Sequence, residues 1–272
     1  MDITVVIPTY NRYEILKRAL ISVYSQSYMP KEVIIIDDGS TDNTSQITKQ
    51  FPHVKYIYQK NSGVSSARNL GIKNSMSEWI AFLDSDDTWH VDKLKCQAEF
   101  HEQNPKYLMS YTDEKWIRDG IEVKMAKKFH KVGGNIFTEC LSHCIIAPSA
   151  TLVHKRLLDE VGLFDKNLEV CEDYDLWLRV ACANPIGLID EKLITKYGGN
   201  DDQLSAKHWG MDRFRVVALE KLLEIEVAKK ELIIETILHK YKLLFKGALK
   251  HEKLLDSKMY NEKIKFYEAL KD

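Results

Sequence analysis

Three short polar clusters each follow an apolar, β-branched run: Pro8-Thr9-Tyr10-Asn11-Arg12 after residues 3–7, Asp37-Asp38-Gly39-Ser40 after 33–36, and Asp84-Ser85-Asp86-Asp87 after 79–83. Asp84 and Asp86, two apart in a turn, can direct oxygens to one hard divalent cation, Mg2+ or Mn2+, leaving positions for water and phosphate. A cation on a diphosphate neutralises the charge that grows there when its bond to a second group breaks. Turn chemistry alone explains any one of the clusters, since Asp, Gly and Ser are favoured after strands. All three together at strand ends point to one ligand site. Arg68, in Gly63-Val64-Ser65-Ser66-Ala67-Arg68-Asn69-Leu70-Gly71, adds a guanidinium near the start of a helix, where it could meet phosphate or the acidic turn.

The elements that must carry these clusters alternate. Runs 3–7 and 33–36 read as buried parallel strands, and 54–58 and 79–83 as a third and a fourth strand. Between them, 13–25 has Ile15, Leu16, Ala19, Leu20 and Val23 at helical spacing, a second helix starts at Ser40 or Asp42 and stops before Pro52, and 65–74 is a third helix. Strand, helix, strand units of this kind make an α/β sheet, and ligands bind outside the carboxyl ends of its strands. Farther on the alternation weakens: 91–104 reads as helix, 108–116 as strand, 120–134 as a polar connection. Residues 173–183 return to helical spacing with Leu176, Val180 and Ala183 as the expected buried side. From Asp212 onward glycine occurs only at Gly247 and proline not at all, so 212–272 is expected as a helical extension to a domain spanning 1–211.

Composition narrows the partners. The chain has 272 residues, 44% hydrophobic and 29% charged, with a formal net charge of -1. That charge removes the broad attraction nucleic-acid binders show, so no nucleic acid is expected. An anionic ligand must be held locally, by a few arginines, backbone amides or a metal ion. Cys96, Cys140, Cys144, Cys171 and Cys182 are an odd set without close pairs, which fits free thiols in a reducing compartment. The first residues lack a basic n-region, and no stretch approaches bilayer length, so the cytoplasm is the expected location. No GxGxxG follows the first strand and no GxxxxGK occurs, which removes the main support for dehydrogenase and P-loop readings.

The clusters, in their order, resemble the motifs of family 2 glycosyltransferases: Val6-Ile7-Pro8-Thr9-Tyr10-Asn11-Arg12, Asp37-Asp38-Gly39-Ser40-Thr41-Asp42, Ala67-Arg68-Asn69-Leu70-Gly71 and Asp84-Ser85-Asp86-Asp87. Gly162-Leu163-Phe164-Asp165 and Cys171-Glu172-Asp173-Tyr174-Asp175-Leu176-Trp177-Leu178-Arg179 resemble the family's acceptor-side segment. The resemblance implies the GT-A fold, a Rossmann-like nucleotide-binding mixed sheet flanked by helices, with a nucleotide-sugar donor, a divalent metal and inversion at the anomeric carbon. Carried over, Pro8, Thr9, Tyr10, Asn11, Arg12 and Asp37 would hold the nucleotide, with Arg68, Asp84 and Ser85 adding contacts. Asp86 would be the principal metal ligand beside Asp84. Asp173 would be the catalytic base, with Glu172 and Trp177 on the acceptor side; the competing reading is that Glu172 and Asp173 cap a helix. Residues 197–205 resemble a loop that closes over the donor, and His208 just beyond is a candidate third metal ligand. The family often has proline where this chain has Val91.

The leading expectation is therefore an inverting transfer of a sugar from a nucleoside diphosphate, UDP foremost, to a hydroxyl of a glycan or lipid-linked saccharide. A nucleotidyltransferase would also use an acidic metal turn, but wants a glycine-rich, lysine-bearing loop where this chain has Pro8-Thr9-Tyr10-Asn11-Arg12. A non-catalytic sugar-nucleotide-binding assembly subunit would keep the pocket and use the tail for partners. For the tail itself, Lys229, Lys230, Lys240, Lys242, Lys246 and Lys250 suit peripheral contact with an anionic membrane face. Interspersed Glu226, Glu231 and Glu235 favour packing on the sheet or in a homodimer.

Overall fold

The protein is described here by a computed structural model covering residues 1–126, 129–198, 208–225 and 229–271. The strands are β1 (Ile3–Thr9), β2 (Glu32–Asp37), β3 (Lys55–Tyr58), β4 (Trp79–Phe82), β5 (Thr88–Trp89), β6 (Met109–Arg118), β7 (Ile121–Val123), β8 (Thr151–His154) and β9 (Gly187–Gly198). The helices are α1 (Tyr13–Tyr24), α2 (Ile47–Gln50), α3 (Val64–Asn74), α4 (Lys93–Gln103), α5 (Phe137–Ser142), α6 (Lys155–Val161), α7 (Glu172–Ala183), α8 (Asp212–Glu224), α9 (Lys230–Lys250) and α10 (Leu254–Ala269).

Among the described residues the strands form one mixed sheet in the order β3-β2-β1-β4-β8-β6-β9-β5, with β7 paired to β6. The first four are parallel; β1, β2 and β4 are almost wholly buried, as expected of parallel strands covered on both faces, whereas the edge strand β3 is partly exposed. Chain order reverses at β1, which lies between β2 and β4. There the ladders end unequally: β1 pairs with β2 as far as Thr9↔Asp37, but with β4 only as far as Val6↔Phe82. The crevice expected at such a switch point opens between these ends.

Alternation along β2 sends Val33 and Ile35 into the main core and Ile34 and Ile36 into a smaller cluster with Ala67 of α3. Gly71 lets α3 lie close on β1, because a Cβ there would stand 2.3 Å from Val6 Cγ1.

Several expectations change. The helix after Asp42 is a 3-10 turn, Asn43–Gln46, running into one turn of α2, with Asp42 Oδ1 accepting from the Thr44 N–H at 2.9 Å. The connection after residue 120 includes the exposed strand β7, and β8 and β9 complete the sheet where no strand was expected. On α7, Leu176 and Val180 are buried as expected, but Ala183, at the last turn, is exposed. Tyr174, Trp177, Leu178 and Ala181 are buried as well, since α5, α6 and α8 cover this helix on several sides.

Helices α8, α9 and α10 follow from Asp212, and part of their apolar surface is used within the chain. Val216, Leu219, Ile233, Ile237, Tyr241 and Leu244 belong to the same core cluster as the sheet. Glu220 accepts from Tyr241, Lys263 and Tyr267, tying α8 to α9 and α10. Of the tail lysines, Lys240 pairs with Asp212 and Lys242 with Glu268, while Lys229 lies over the Phe137 ring. No helix among the described residues is long and apolar enough to cross a membrane.

Candidate active site

The crevice is a cleft of about 630 Å³ whose walls come from the ends of β1 and β4, the start of α3, the segment before α7 and the end of β9. Pro8, Thr9, Tyr10, Asn11, Arg12, Arg68, Asp84, Ser85, Asp86, Glu172 and Asp173 all line it. Eleven residues singled out from sequence, drawn from four separate segments, thus meet in one cavity.

Each segment has a local reason for its course. Asn11 adopts a left-handed backbone (φ 51°), and its Oδ1 accepts from the N–H groups of Thr41 and Asp42, locking the loop after β1 to the loop after β2. Asp38 accepts from the N–H groups of Ser62 and Gly63 at 2.8 and 2.9 Å, which fixes the entry to α3. In the acidic turn, Asp84 C=O accepts from Asp87 N–H at 3.0 Å. Ser149 ties the turn from below: its Oγ accepts from Asp84 N–H at 3.0 Å and donates to Asp87 Oδ2 at 2.6 Å. Cys171, just before α7, is held left-handed (φ 64°), a conformation that costs free energy in a non-glycine residue and is concentrated at functional sites.

Arg68 joins the two halves. Its Nη2 donates to Asp84 Oδ1 and its Nη1 to Glu172 Oε1, each at 2.6 Å. Next to it, Asn69 exchanges two hydrogen bonds with the backbone of Phe164, drawing the 162–165 segment onto α3. The neighbouring base candidate is oriented through both oxygens. Asp173 Oδ1 accepts from Tyr174 N–H at 2.7 Å and Oδ2 from the Cys144 thiol at 3.3 Å.

The charges are strongly coupled. Burial would raise the Asp84 carboxyl, but Arg68 and Lys196 outweigh it and hold it below the usual carboxylate range. Asp87 has no arginine beside it: burial pushes it up to about 8 against the pull of Lys196, with repulsion from Asp86 and Asp84 adding to the rise. Burial lifts Glu172 to about 7, with Arg68 pulling the other way and Asp173 adding to the rise. Burial opposes the charge on Arg68, yet Asp84 and Glu172 raise its pKa above the ordinary value.

Asp84 and Asp86 are the cleft carboxylates that could hold a hard cation. Asp84 Oδ1 faces Arg68, and Asp86 Oδ2 faces Arg12 Nη1 at 3.3 Å, so one oxygen of each carboxylate has no protein partner among the described residues. No three His, Cys, Asp or Glu side chains gather as a metal group among the described residues. The chain would contribute these two carboxylates and leave the remaining positions to phosphate and water.

Three expected site residues stand elsewhere. Asp37 lies behind the wall, where its carboxylate accepts from Ser40 N–H at 2.8 Å and from the Tyr56 hydroxyl; its neighbour Asp38 takes the place on the cleft. Trp177 is buried in the core edge-on to Phe164, because it projects from the covered side of α7. His208 packs edge-on against Phe214 and does not line the cleft. Of the expected donor loop, 199–205 lie outside the described residues, and Tyr197 and Gly198 end β9. The sequence reading missed Lys196 on the cleft wall and Ser149 beneath the acidic turn. Lys196 lay in a run with no motif, and nothing distinguished Ser149 from any serine.

Residues 4–162 match the sequence profile of Glycosyl transferase family 2. An uncharacterized glycosyltransferase, RC0461, of Rickettsia conorii is 39% identical over 196 residues, covering 70% of this chain and 32% of the relative. The Escherichia coli protein named UDP-Glc:alpha-D-GlcNAc-diphosphoundecaprenol beta-1,3-glucosyltransferase WfaP is 30% identical over 183 residues, covering 65% of this chain and 69% of the relative. This chain spans about a third of the length of the first curated relatives it matches. Among solved structures, S. aureus TarS 1–349 in complex with UDP-GlcNAc is similar with a TM-score of 0.70 at 20% identity, covering 88% of this chain and 71% of that chain. That likeness, with the mixed sheet described above, gives the fold as GT-A with added C-terminal helices.

Proposed function

The chain belongs to glycosyl transferase family 2, and from that premise we propose that it moves one sugar, with inversion, from a UDP-sugar to a hydroxyl of a saccharide or lipid-linked saccharide. The observation that carries this reading is the Arg68 bridge, which sets the acidic turn and the Glu172-Asp173 pair around one cleft. UDP is favoured because TarS was solved with UDP-GlcNAc, and the lipid-linked acceptor because the E. coli relative is named for one.

In the proposed reaction the nucleotide lies along the β1 and β2 ends, against Pro8, Thr9, Tyr10 and Asn11. Asp173 takes the proton of the acceptor hydroxyl as that oxygen attacks the anomeric carbon from the face opposite the diphosphate. The carbon–oxygen bond to the diphosphate breaks and its electron pair leaves with the phosphate oxygen. A divalent cation held by Asp84 and Asp86 would supply charge neutralisation to the diphosphate. Arg68 fixes Asp84 on one side and Glu172 on the other, and so sets the spacing between donor and base.

A thermal-shift screen of nucleotide sugars with Mn2+, followed by a donor-hydrolysis assay on each ligand that raises the melting temperature, tests this directly. UDP-sugars should stabilise the protein and be consumed. If no nucleotide sugar in the panel does either, the proposal fails.

A further inference from the structure

An anionic donor is best met by a cation that no carboxylate of the cleft engages in a direct ion pair. Asp38, Asp84, Asp86, Asp87, Glu172 and Asp173 line the cleft, against Arg12, Arg68 and Lys196. Arg68 is engaged by Asp84 and Glu172, and Arg12 stands 3.3 Å from Asp86. Lys196 makes no ion pair or hydrogen bond among the described residues; its contact is with the face of the Trp116 ring, 5.2 Å from the centroid.

The fold brings this lysine to the acidic turn by register. β9 runs antiparallel to β5 with Thr88↔Thr195 and Trp89↔Ile194, so the next pair outward sets Lys196 opposite Asp87. Tyr197 lies one step farther, its hydroxyl 3.5 Å from Thr88 Oγ1. On its other side β9 pairs with β6 through a bulge between Thr112 and Glu114, a device that re-aims side chains beside functional sites. Burial opposes the charge on Lys196, yet Asp87, Glu114, Asp84 and Asp173 keep the ammonium protonated.

Resting on the donor reading above, we propose that Lys196 Nζ binds the diphosphate of the nucleotide sugar directly and stabilises it as leaving group. As the acceptor oxygen bonds to the anomeric carbon, the electron pair of the breaking bond passes to a diphosphate oxygen, and the ammonium strengthens its hydrogen bond to that oxygen without giving up its proton. The acceptor's proton goes to Asp173. A compact ammonium with three donors can follow the phosphate as charge develops.

The test is calorimetric titration of wild type, Lys196→Met and Lys196→Arg with a panel of nucleoside diphosphates (UDP, GDP, dTDP, ADP) and the parent nucleosides, in EDTA and again in Mn2+. Lys196→Met should lose about tenfold or more in affinity for the bound diphosphate in EDTA, with nucleoside affinity unchanged, and Lys196→Arg should keep most of it. Melting temperature is followed in parallel, and Lys196→Gln replaces the methionine variant if that one melts early. Equal loss for diphosphate and nucleoside, unchanged diphosphate affinity, or wild-type binding that vanishes in EDTA overturns the role of Lys196 and leaves the donor reading standing. Wild type that binds no nucleoside diphosphate under either condition overturns both.

Discussion

The Arg68 guanidinium and the Glu172 carboxylate meet at 2.6 Å although 104 positions separate them in the chain, and the other arm of the same guanidinium holds Asp84. Removing the arginine leaves a buried Glu172 and a part-buried Asp84 without their countercharge. Arg68→Ala should therefore destabilise the fold by about 3 kcal/mol or more, measured by urea unfolding. Adding Glu172→Gln should recover part of that loss. A single variant within about 1 kcal/mol of wild type would remove the bridge from the account.

Asp87 makes stability depend on pH. Its folded pKa, pushed up to about 8 by burial, lies above the ordinary carboxylate value near 4, so folding favours its protonated form. The associated stability is fully present below about pH 4 and is lost as pH rises through about 8. Melting temperature should decline across that window, and Asp87→Asn should flatten the upper part of the decline. Parallel curves for the two proteins would show that Asp87 does not titrate as described.

Gly71 is required by space. A Cβ would stand 2.3 Å from one methyl of Val6 and 3.0 Å from the other, on the strand that ends in Pro8 and Thr9. Gly71→Ala should cost about 1–3 kcal/mol through overpacking and weaken nucleotide binding by shifting α3 and with it Arg68. Chemical denaturation and UDP titration check the two effects separately; a fully stable variant with normal affinity would mean that the helix and strand separate at no cost.

The parts of the fold legible in sequence are those where burial on both faces writes a continuous apolar run. β1, β2 and β4 are such runs, each ended by a proline or an aspartate. β9 is not legible because its run, Gly187–Gly198, carries Asp190, Glu191 and Lys192 in the middle and a register shift opposite them. Lys196 rides on that strand and has no motif of its own to mark it. Adjacent carboxylates show a second limit. In Asp37-Asp38 the two-residue period of a strand decides which one faces the cleft, and composition alone does not set that phase. Trp177 illustrates a related problem on a helix covered on several sides: its polar stripe, Glu172, Asp175 and Arg179, is itself engaged in ion pairs and does not mark an open face.

Asp86 offers the test of the proposed cation. Asp86→Ala should bind UDP in EDTA about as wild type does, but should lose the gain in affinity that Mn2+ gives. Equal Mn2+ dependence in the two proteins would place the cation, if one binds, on other groups.

In the proposed reaction Asp173 takes the acceptor proton at a cleft whose other wall holds the donor. The most direct measurement is transfer by Asp173→Asn beside its affinity for the donor. Sugar transfer should fall by about a hundredfold or more while UDP-sugar affinity stays within a few fold of wild type, because the substitution keeps shape and removes only the base. Transfer at the wild-type rate would contradict the account.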